Sequence, residues 1–188
     1  MKALPQPNTI ALIIVTIVAL IVIYDVWALY RNRQRVPRLG NLTNGGYAWS
    51  SSINDELKRN GPNILTMITM IGLPWLLANK SGTDEVYIII FDIFLLIHLV
   101  SLLVPKRYAI TRTNLFADGH SYSWNYFNKL KWKKNQRLIL QRKGWWLFAP
   151  LPLGGVESDL LEAVDRIRAA QEGRDAWHTM ILEKNEEE

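Results

Sequence analysis

The 188-residue chain contains no cysteine and only three histidines. Without cysteine it has no disulfide bonds, thiolate zinc sites, cysteine-ligated iron–sulfur clusters or cysteine nucleophiles. The histidines are scattered, so the sequence predicts no metal site. No phosphate-binding glycine loop, dinucleotide fingerprint or Gly-x-Ser-x-Gly nucleophile motif occurs. We therefore predict no enzymatic activity and no cofactor. Nucleic acid is not an expected partner either, because no stacking or groove-reading motif is present.

Acidic residues are nearly missing from residues 106–155, where Asp118 is the one acid among ten lysines and arginines. Residues 1–105 carry a net charge of +2, and residues 156–188 carry −6. A basic block followed by an acidic tail indicates that the block meets something anionic. Lipid headgroups, the tail itself and an acidic protein partner are the alternatives.

Long apolar runs fill the first half of the chain. A membrane-spanning helix needs about 20 apolar residues, with about 17 as a minimum. This length predicts three transmembrane helices, at about residues 9–30, 62–78 and 86–104. Gly72 and Pro74 predict a kink or an early end in the second. A cleaved signal peptide is the competing interpretation of the first run, but the run is too long and no small-x-small cleavage site follows it.

The flanking cations predict the orientation of these spans. Arginines and lysines cluster after the first span, before the second and after the third, whereas the other ends carry few. Cytoplasmic flanks are enriched in Lys and Arg. We therefore expect the amino terminus outside, the loop 31–61 in the cytoplasm, and everything after Val104 in the cytoplasm.

The loop 31–61 contains an amphipathic pattern. Trp49, Ile53 and Leu57 recur every four residues, with charged residues on the remaining faces. This spacing predicts a short helix lying on the inner membrane surface. An irregular loop with a buried Trp49 is the alternative.

Three ionisable residues, Asp25, Asp92 and His98, fall inside the apolar runs. Such residues are costly in lipid and often mark function. Asp25 and His98 lie at similar depth, so we expect that they can pair across the first and third spans, whereas Asp92 has no obvious cationic partner. A proton or ion relay through the three is one hypothesis. The other is structural: interfacial placement of Asp25, one interhelical hydrogen bond from His98, and a neighbouring subunit facing Asp92.

After residue 106 the period of the pattern changes from helical to alternating, which predicts short strands. Strands are expected at 108–113, 114–117 and 120–124, with Asp118-Gly119 as a hairpin turn. Further strands are expected at 129–133, 137–141 and 145–151. An amphipathic helix is expected to begin near Ser158.

This segment resembles a family. Arg107-Tyr108-Ala109-Ile110-Thr111, Leu115-Phe116-Ala117-Asp118-Gly119, Tyr122-Ser123-Trp124 and Leu130-Lys131-Trp132 follow one another as in small bacterial pleckstrin-homology-like (PH-like) domains located after transmembrane helices. The resemblance covers about sixty residues and implies a small antiparallel barrel closed by a helix. It also implies a bacterial inner (plasma) membrane protein of unknown function. Trp145-Trp146 and Pro150-Leu151-Pro152 depart from the pattern.

The overall prediction is an α+β membrane protein with three parts. Residues 1–105 form a three-helix transmembrane domain, residues 106–172 a basic PH-like β module with its C-terminal helix, and residues 173–188 an acidic tail. The tail is expected to fold back onto the basic face, to reach a basic partner or to remain solvated.

The basic module carries the candidate binding residues. Near an anionic leaflet each Lys or Arg contributes about 1 kcal/mol. The alternative is a solvated strand face with the tryptophans in the core. The residues expected to bind lipid or a protein partner are Lys129, Lys131, Lys133, Arg137, Arg142, Lys143, Trp145 and Trp146.

Three functions follow as hypotheses. The first is a non-enzymatic adaptor or scaffold that presents a cytosolic PH-like module to lipid headgroups or protein partners. The second is an accessory subunit of a larger membrane complex. The third is an ion- or proton-handling protein that uses Asp25, Asp92 and His98.

Overall fold

The computed structural model describes residues 6–132, 138–144 and 150–187. The chain divides into two compact units. The first, which we call the helical unit, comprises Met1–Ala28 and Glu56–Val104. The second, which we call the module, comprises Leu29–Asp55 and Pro105–Glu188. The chain therefore enters the module twice.

Three long helices occupy the first half of the chain: α1 (Pro7–Arg35), α2 (Ile53–Ser81) and α3 (Glu85–Leu103). Within the described residues, two of them, α1 and α3, are long and apolar enough to cross a membrane. At about 1.5 Å per residue, α3 is about 28 Å long, close to the thickness of a bilayer core. The predicted first span lies within α1, and the predicted third span matches α3 except for its last residue, Val104.

The predicted second span, 62–78, lies inside α2, which is not one of the two apolar helices. The first two turns of α2 are rich in charged and amide side chains, and Pro62 and Pro74 lie inside it. Its apolar content is therefore lower than that of α1 and α3. The early end expected near Gly72 and Pro74 does not occur, because the helix continues to Ser81.

The module contains seven described strands and two helices. The strands are β1 (Gly40–Asn41), β2 (Tyr47–Ser50), β3 (Arg107–Ile110), β4 (Asn114–Ala117), β5 (His120–Ser123), β6 (Leu138–Gln141) and β7 (Pro150–Leu153). The helices are α4 (Glu157–Glu172) and α5 (Arg174–Glu187). The first five strands form one antiparallel sheet in chain order, and β6 and β7 form an antiparallel pair. The structure is therefore α+β, with antiparallel strands and a helix after them, as predicted.

The loop 31–61 corrects the prediction of an interfacial helix. Its central part forms β1 and β2 on either side of a 3₁₀ turn, Thr43–Gly45. Trp49 lies in β2 opposite Tyr108 of β3, and it is 2% exposed. The four-residue spacing of Trp49 with the later apolar residues is misleading, because Trp49 belongs to a strand and α2 begins only at Ile53. The alternative interpretation, an irregular loop, predicted the burial of Trp49 correctly. The segment is nevertheless not irregular, because it forms strands β1 and β2.

The hairpin after residue 106 agrees with its prediction. β4 and β5 pair through Ala117 and His120, and Asp118 and Gly119 both have positive φ. Two positive φ values are what a two-residue hairpin turn of the favoured twist requires.

The later strands agree with prediction in part. The strand predicted at 137–141 is β6, which pairs with β7, whereas residues 129–132 form no strand. Leu138, Leu140, Leu151 and Leu153 together bury one face of the β6–β7 pair. Alternation along the chain shows which residues face the core, but it does not show which strand is the neighbour.

The helices close the core. α4 begins at Glu157, next to the predicted Ser158, and Gly173 ends it with φ of 126°. The carboxyl-terminal residues 174–187 form helix α5, which packs on α4. Trp177 of α5 is 1% exposed in the main core. The expected solvated tail is therefore wrong. The segment folds back, but its contacts are with α4 and the 43–45 turn.

Candidate functional site

The cationic side chains of residues 129–143 form what we call the basic face: Lys129, Lys131, Arg142 and Lys143. The two segments that carry them adjoin, because Phe127 bridges to Arg142 and the Asn128 amide donates to the Gln141 carbonyl at 2.8 Å. The structure thus brings these four predicted residues onto neighbouring pieces of chain.

The lysine side chains at 129 and 131 alternate along the chain with apolar side chains at 130 and 132. Lys129 and Lys131 are exposed, whereas Leu130 and Trp132 are partly buried against the core. The Leu130 amide donates to Gln171 Oε1 of α4 at 2.8 Å, which holds this segment although it forms no strand. Apolar side chains therefore point inward and lysines outward, as the sequence predicted.

The exposed lysines of the basic face lack carboxylate partners in the part of the chain that the structure describes. Within the described residues, Lys129, Lys131 and Lys143 form no ion pair. Asp118, the one acid of residues 106–155, lies instead 3.0 Å from Lys106 Nζ. The basic face therefore presents uncompensated positive charge to solvent.

Arg142 is held differently from the lysines. Its guanidinium carbon lies 4.7 Å from the centre of the Tyr122 ring, in cation–π geometry. The side chain is partly buried. Arg142 therefore forms a fixed edge of the basic face, beside three exposed lysines.

Four predicted binding residues lie outside the described residues: Lys133, Arg137, Trp145 and Trp146. Their part in the basic face stays a prediction.

The polar residues of the apolar runs form two separate contacts in the helical unit. His98 Nδ1 lies 2.6 Å from Asp25 Oδ2, which confirms the predicted pairing of α1 with α3. Asp92 Oδ2 accepts a hydrogen bond from Trp75 Nε1 of α2 at 2.6 Å. Sequence reasoning missed this contact because it searched for a cation as the partner.

Helix geometry explains the separation. Asp92 and His98 are six residues apart, which is about 9 Å along α3 and about 240° around it. Asp92 therefore faces α2, and His98 faces α1. The three residues form no chain of direct contacts in the described part of the unit.

A further polar group lies at the start of α2. Glu56 is 1% exposed and pairs with Arg59 at 2.6 Å, while Asn60 Nδ2 donates to the Leu102 carbonyl of α3 at 3.0 Å. These side chains satisfy one another and a carbonyl at the end of α3. Their pattern in the sequence suggested only a polar helix face.

The module contains a second charged group that sequence reasoning missed, the Arg166 cluster: Tyr47, Asp159, Glu162, Arg166 and Lys184. Arg166 is 3% exposed and pairs with Glu162, which also pairs with Lys184. Its Nε donates to the Gly45 carbonyl at 2.9 Å, and its guanidinium carbon lies 5.0 Å from the centre of the Tyr47 ring. The cluster therefore ties α4 and α5 to the β1–β2 hairpin.

Tyr47 completes the cluster. Its hydroxyl donates to Asp159 Oδ1 at 2.7 Å. Burial, the hydrogen bond to Asp159 and the negative charge of Asp159 raise the pKa of Tyr47 to about 12, although Arg166 acts in the opposite direction. Tyr47 therefore remains protonated at neutral pH and acts as a hydrogen-bond donor.

The groups described above differ in how their charges are compensated. Within the described residues, no three His, Asp or Glu side chains are arranged to hold a metal ion. In the Arg166 cluster, Glu162 pairs with Arg166 and Lys184, and Asp159 accepts the Tyr47 hydroxyl. The uncompensated cations of the basic face are suited to attract anions.

Searches against protein-family models, curated proteins and solved structures each found no match for this chain.

Proposed function

We propose that the chain is a non-enzymatic membrane protein whose module binds anionic lipid headgroups through the basic face. On this proposal α1 and α3 cross the membrane together with the less apolar segment 62–78 of α2. The amino terminus is outside, and the module is cytoplasmic, at the inner membrane of a bacterium. We also propose that the module is a PH-like domain. The two antiparallel sheets followed by α4 support this assignment.

The observation that carries the proposal is the lack of carboxylate partners for the exposed lysines of the basic face. Lys106 and Arg166, by contrast, are paired with Asp118 and Glu162. Each basic residue near an anionic surface contributes about 1 kcal/mol, so several together give appreciable attraction.

Chain connectivity gives independent support. The chain passes between the helical unit and the module at residues 28–29, 55–56 and 104–105. The module is therefore joined covalently to the helical unit at three places. Electrostatic attraction between the basic face and anionic headgroups then only has to orient the module, because the chain already tethers it to the membrane-spanning segments.

The test is photo-crosslinking of the full chain in native membranes. A benzoylphenylalanine probe replaces Lys131, and the control carries it at Arg168, an exposed residue of α4. We expect lipid adducts at position 131 that exceed those at 168. They should decline when salt rises from about 0.1 M to about 1 M, because the screening length falls from about 10 Å to about 3 Å. Equal lipid labelling at both positions contradicts the proposal.

An accessory subunit of a membrane complex is the second candidate function. It is favoured by the exposed apolar side chains of α2, such as Leu65 and Leu76 at 67% and 78% exposure, in a helix that is less apolar than its neighbours. A partner helix would cover them. Co-purification of a stoichiometric foreign chain in mild detergent supports this function, and a lone chain or homo-oligomer contradicts it.

A further inference from the structure

A second cationic site lies in the module, in a cleft of about 670 Å³ between the 43–45 turn, the β3–β4 turn and the start of α5. We call it the Arg112–Arg174 cleft. Its lining includes Thr43, Arg112, Thr113, Arg174, Trp177 and His178. None of these residues belongs to the basic face.

The charge of this cleft is uncompensated. Two arginines and a histidine line it, and its lining contains no aspartate or glutamate. Within the described residues, none of the three forms an ion pair. Asp175, the nearest acid in the chain, is not part of the lining. A concave surface lined by one sign of charge concentrates ions of the opposite sign.

Neutral donors supplement the cations. Thr113 Oγ1 accepts a hydrogen bond from the side-chain Nδ2 of Asn114 at 3.2 Å, which orients its oxygen and leaves the hydroxyl proton to be donated. Arg174 is the first residue of α5, a 14-residue helix whose first-turn amides and dipole favour an anion at this end. The cleft thus combines charged and neutral donors from separate elements.

The wall of the cleft is rigid. Trp177 is 1% exposed, and its Nε1 donates to the Asn44 carbonyl at 3.1 Å. This bond joins α5 to the 43–45 turn, so the two sides of the cleft are held at a set separation. A preformed site loses little free energy to ordering when a ligand binds.

We propose that the Arg112–Arg174 cleft binds a phosphomonoester dianion, carried either by a soluble compound or by a lipid headgroup. Arginine presents a planar fork of donors that suits phosphate oxygens. Two such forks, an imidazole and two threonine hydroxyls match a group with three terminal oxygens better than they match a carboxylate. This site is additional to the function proposed above and does not depend on it.

Calorimetric titration of the full chain in non-ionic detergent tests the site. The probes are inorganic phosphate, dioctanoyl phosphatidic acid and, as an anionic lipid without a phosphomonoester, dioctanoyl phosphatidylserine. Binding of both phosphate and phosphatidic acid indicates a soluble source. Binding of phosphatidic acid alone indicates a lipid source. No binding by either, or equal binding of phosphatidylserine, overturns the proposal.

Matched variants locate the binding. We expect Arg112→Gln and Arg174→Gln each to weaken it about tenfold or more, the effect of losing a charged hydrogen bond. Arg168→Gln removes an exposed arginine of α4 outside the cleft and should leave affinity unchanged. Equal weakening by Arg168→Gln overturns the site.

Two further variants keep the test decisive. Arg174→Lys retains the charge and removes the fork, so we expect a smaller loss than for Arg174→Gln with the same unfolding midpoint as the parent. Lys129→Gln combined with Lys131→Gln should leave phosphate affinity unchanged, because the basic face is separate. A large loss in that double variant would assign the phosphate to the basic face and overturn the cleft.

Discussion

At the scale of single residues, the buried charges of the module serve the fold. Arg166 lies in the core region with every side of its guanidinium engaged, by Glu162, a backbone carbonyl, Asn41 Oδ1 at 3.0 Å and the Tyr47 ring. Removing one partner of a buried ion pair typically costs about 3–5 kcal/mol. Arg168 lies two residues further along the same helix and therefore points to a nearly opposite face, where it is exposed.

Tyr47→Phe should destabilise the chain by about 1 kcal/mol at neutral pH, the net contribution of one hydrogen bond. Because the folded-state pKa of Tyr47 is raised to about 12 from 10, its contribution is fully present below pH 10 and is lost as pH rises through about 12. The difference in unfolding midpoint between parent and variant should therefore shrink over that range. Circular dichroism of the full chain in detergent measures it.

The control is Tyr126→Phe, because Tyr126 is 65% exposed. It should change the midpoint little at any of these pH values. A Tyr47→Phe deficit that stays constant up to pH 12 would show that the hydroxyl is not held protonated by its surroundings.

At the scale of elements, close approach between the β1–β2 hairpin and α5 depends on glycine. Gly45 has φ of 73°, and a Cβ there would collide with the Ile181 side chain. Ile181 and Trp177 seat α5 on this turn. The contact made at this turn comes from residues more than a hundred positions later in the chain.

Gly45→Ala should destabilise the chain more than Gly144→Ala. Both glycines have positive φ, 73° and 79°, so both variants incur the backbone cost of about 1 kcal/mol. A Cβ at Gly144 meets no atom within 4 Å, whereas one at Gly45 meets Ile181. Thermal unfolding of the two variants separates the contact from the backbone cost. Equal losses would mean that the α5 contact contributes nothing.

At the scale of the whole molecule, the module is discontinuous in sequence. β2 and β3 are adjacent in its sheet, yet α2 and α3 separate them in the chain. Asn32 is 3% exposed and exchanges two hydrogen bonds with the backbone of Arg107, at 2.8 and 2.9 Å. Residues 29–55 are thus part of the folded module, and the domain boundary expected near residue 105 leaves out a necessary piece.

A joined module tests this arrangement: Leu29–Asp55, a flexible linker of about six residues, and Pro105–Glu188. The Ser51 amide donates to the Lys106 carbonyl at 2.9 Å, so the joined ends lie within the roughly 13 Å reach of such a linker. We expect cooperative thermal unfolding in water without detergent. Residues 106–188 alone lack β1, β2 and Trp49, and they should show no cooperative transition.

The matched control keeps the length of the joined module and replaces residues 40–50 with glycine and serine. It should behave like residues 106–188 alone, because Tyr108 and Ile110 of β3 then lose their cover. A cooperative transition in that control, with the same midpoint, would show that the β1–β2 hairpin is dispensable.

The sequence by itself determined the local features of this protein. Apolar length specified the helices around residues 9–30 and 86–104, Asp118-Gly119 specified a hairpin turn, and alternation pointed Lys129 and Lys131 outward. Each of these features depends either on side chains a few residues apart in the sequence or on the hydrophobicity of one continuous segment. The pairing of Asp25 with His98 was also accessible, because equal depth in two helices can be counted along the chain.

Only the tertiary structure decided the contacts between distant segments. Trp49 fits a helical period and a strand equally well until β3 lies beside it. The partner of Asp92 is an indole and not a cation, and β6 pairs with β7 because their leucines share one face. The Arg112–Arg174 cleft joins three segments that are separate in sequence. Such pairings depend on which surfaces bury each other. The free energy gained by this burial depends on the whole folded chain and cannot be read from any short segment of it.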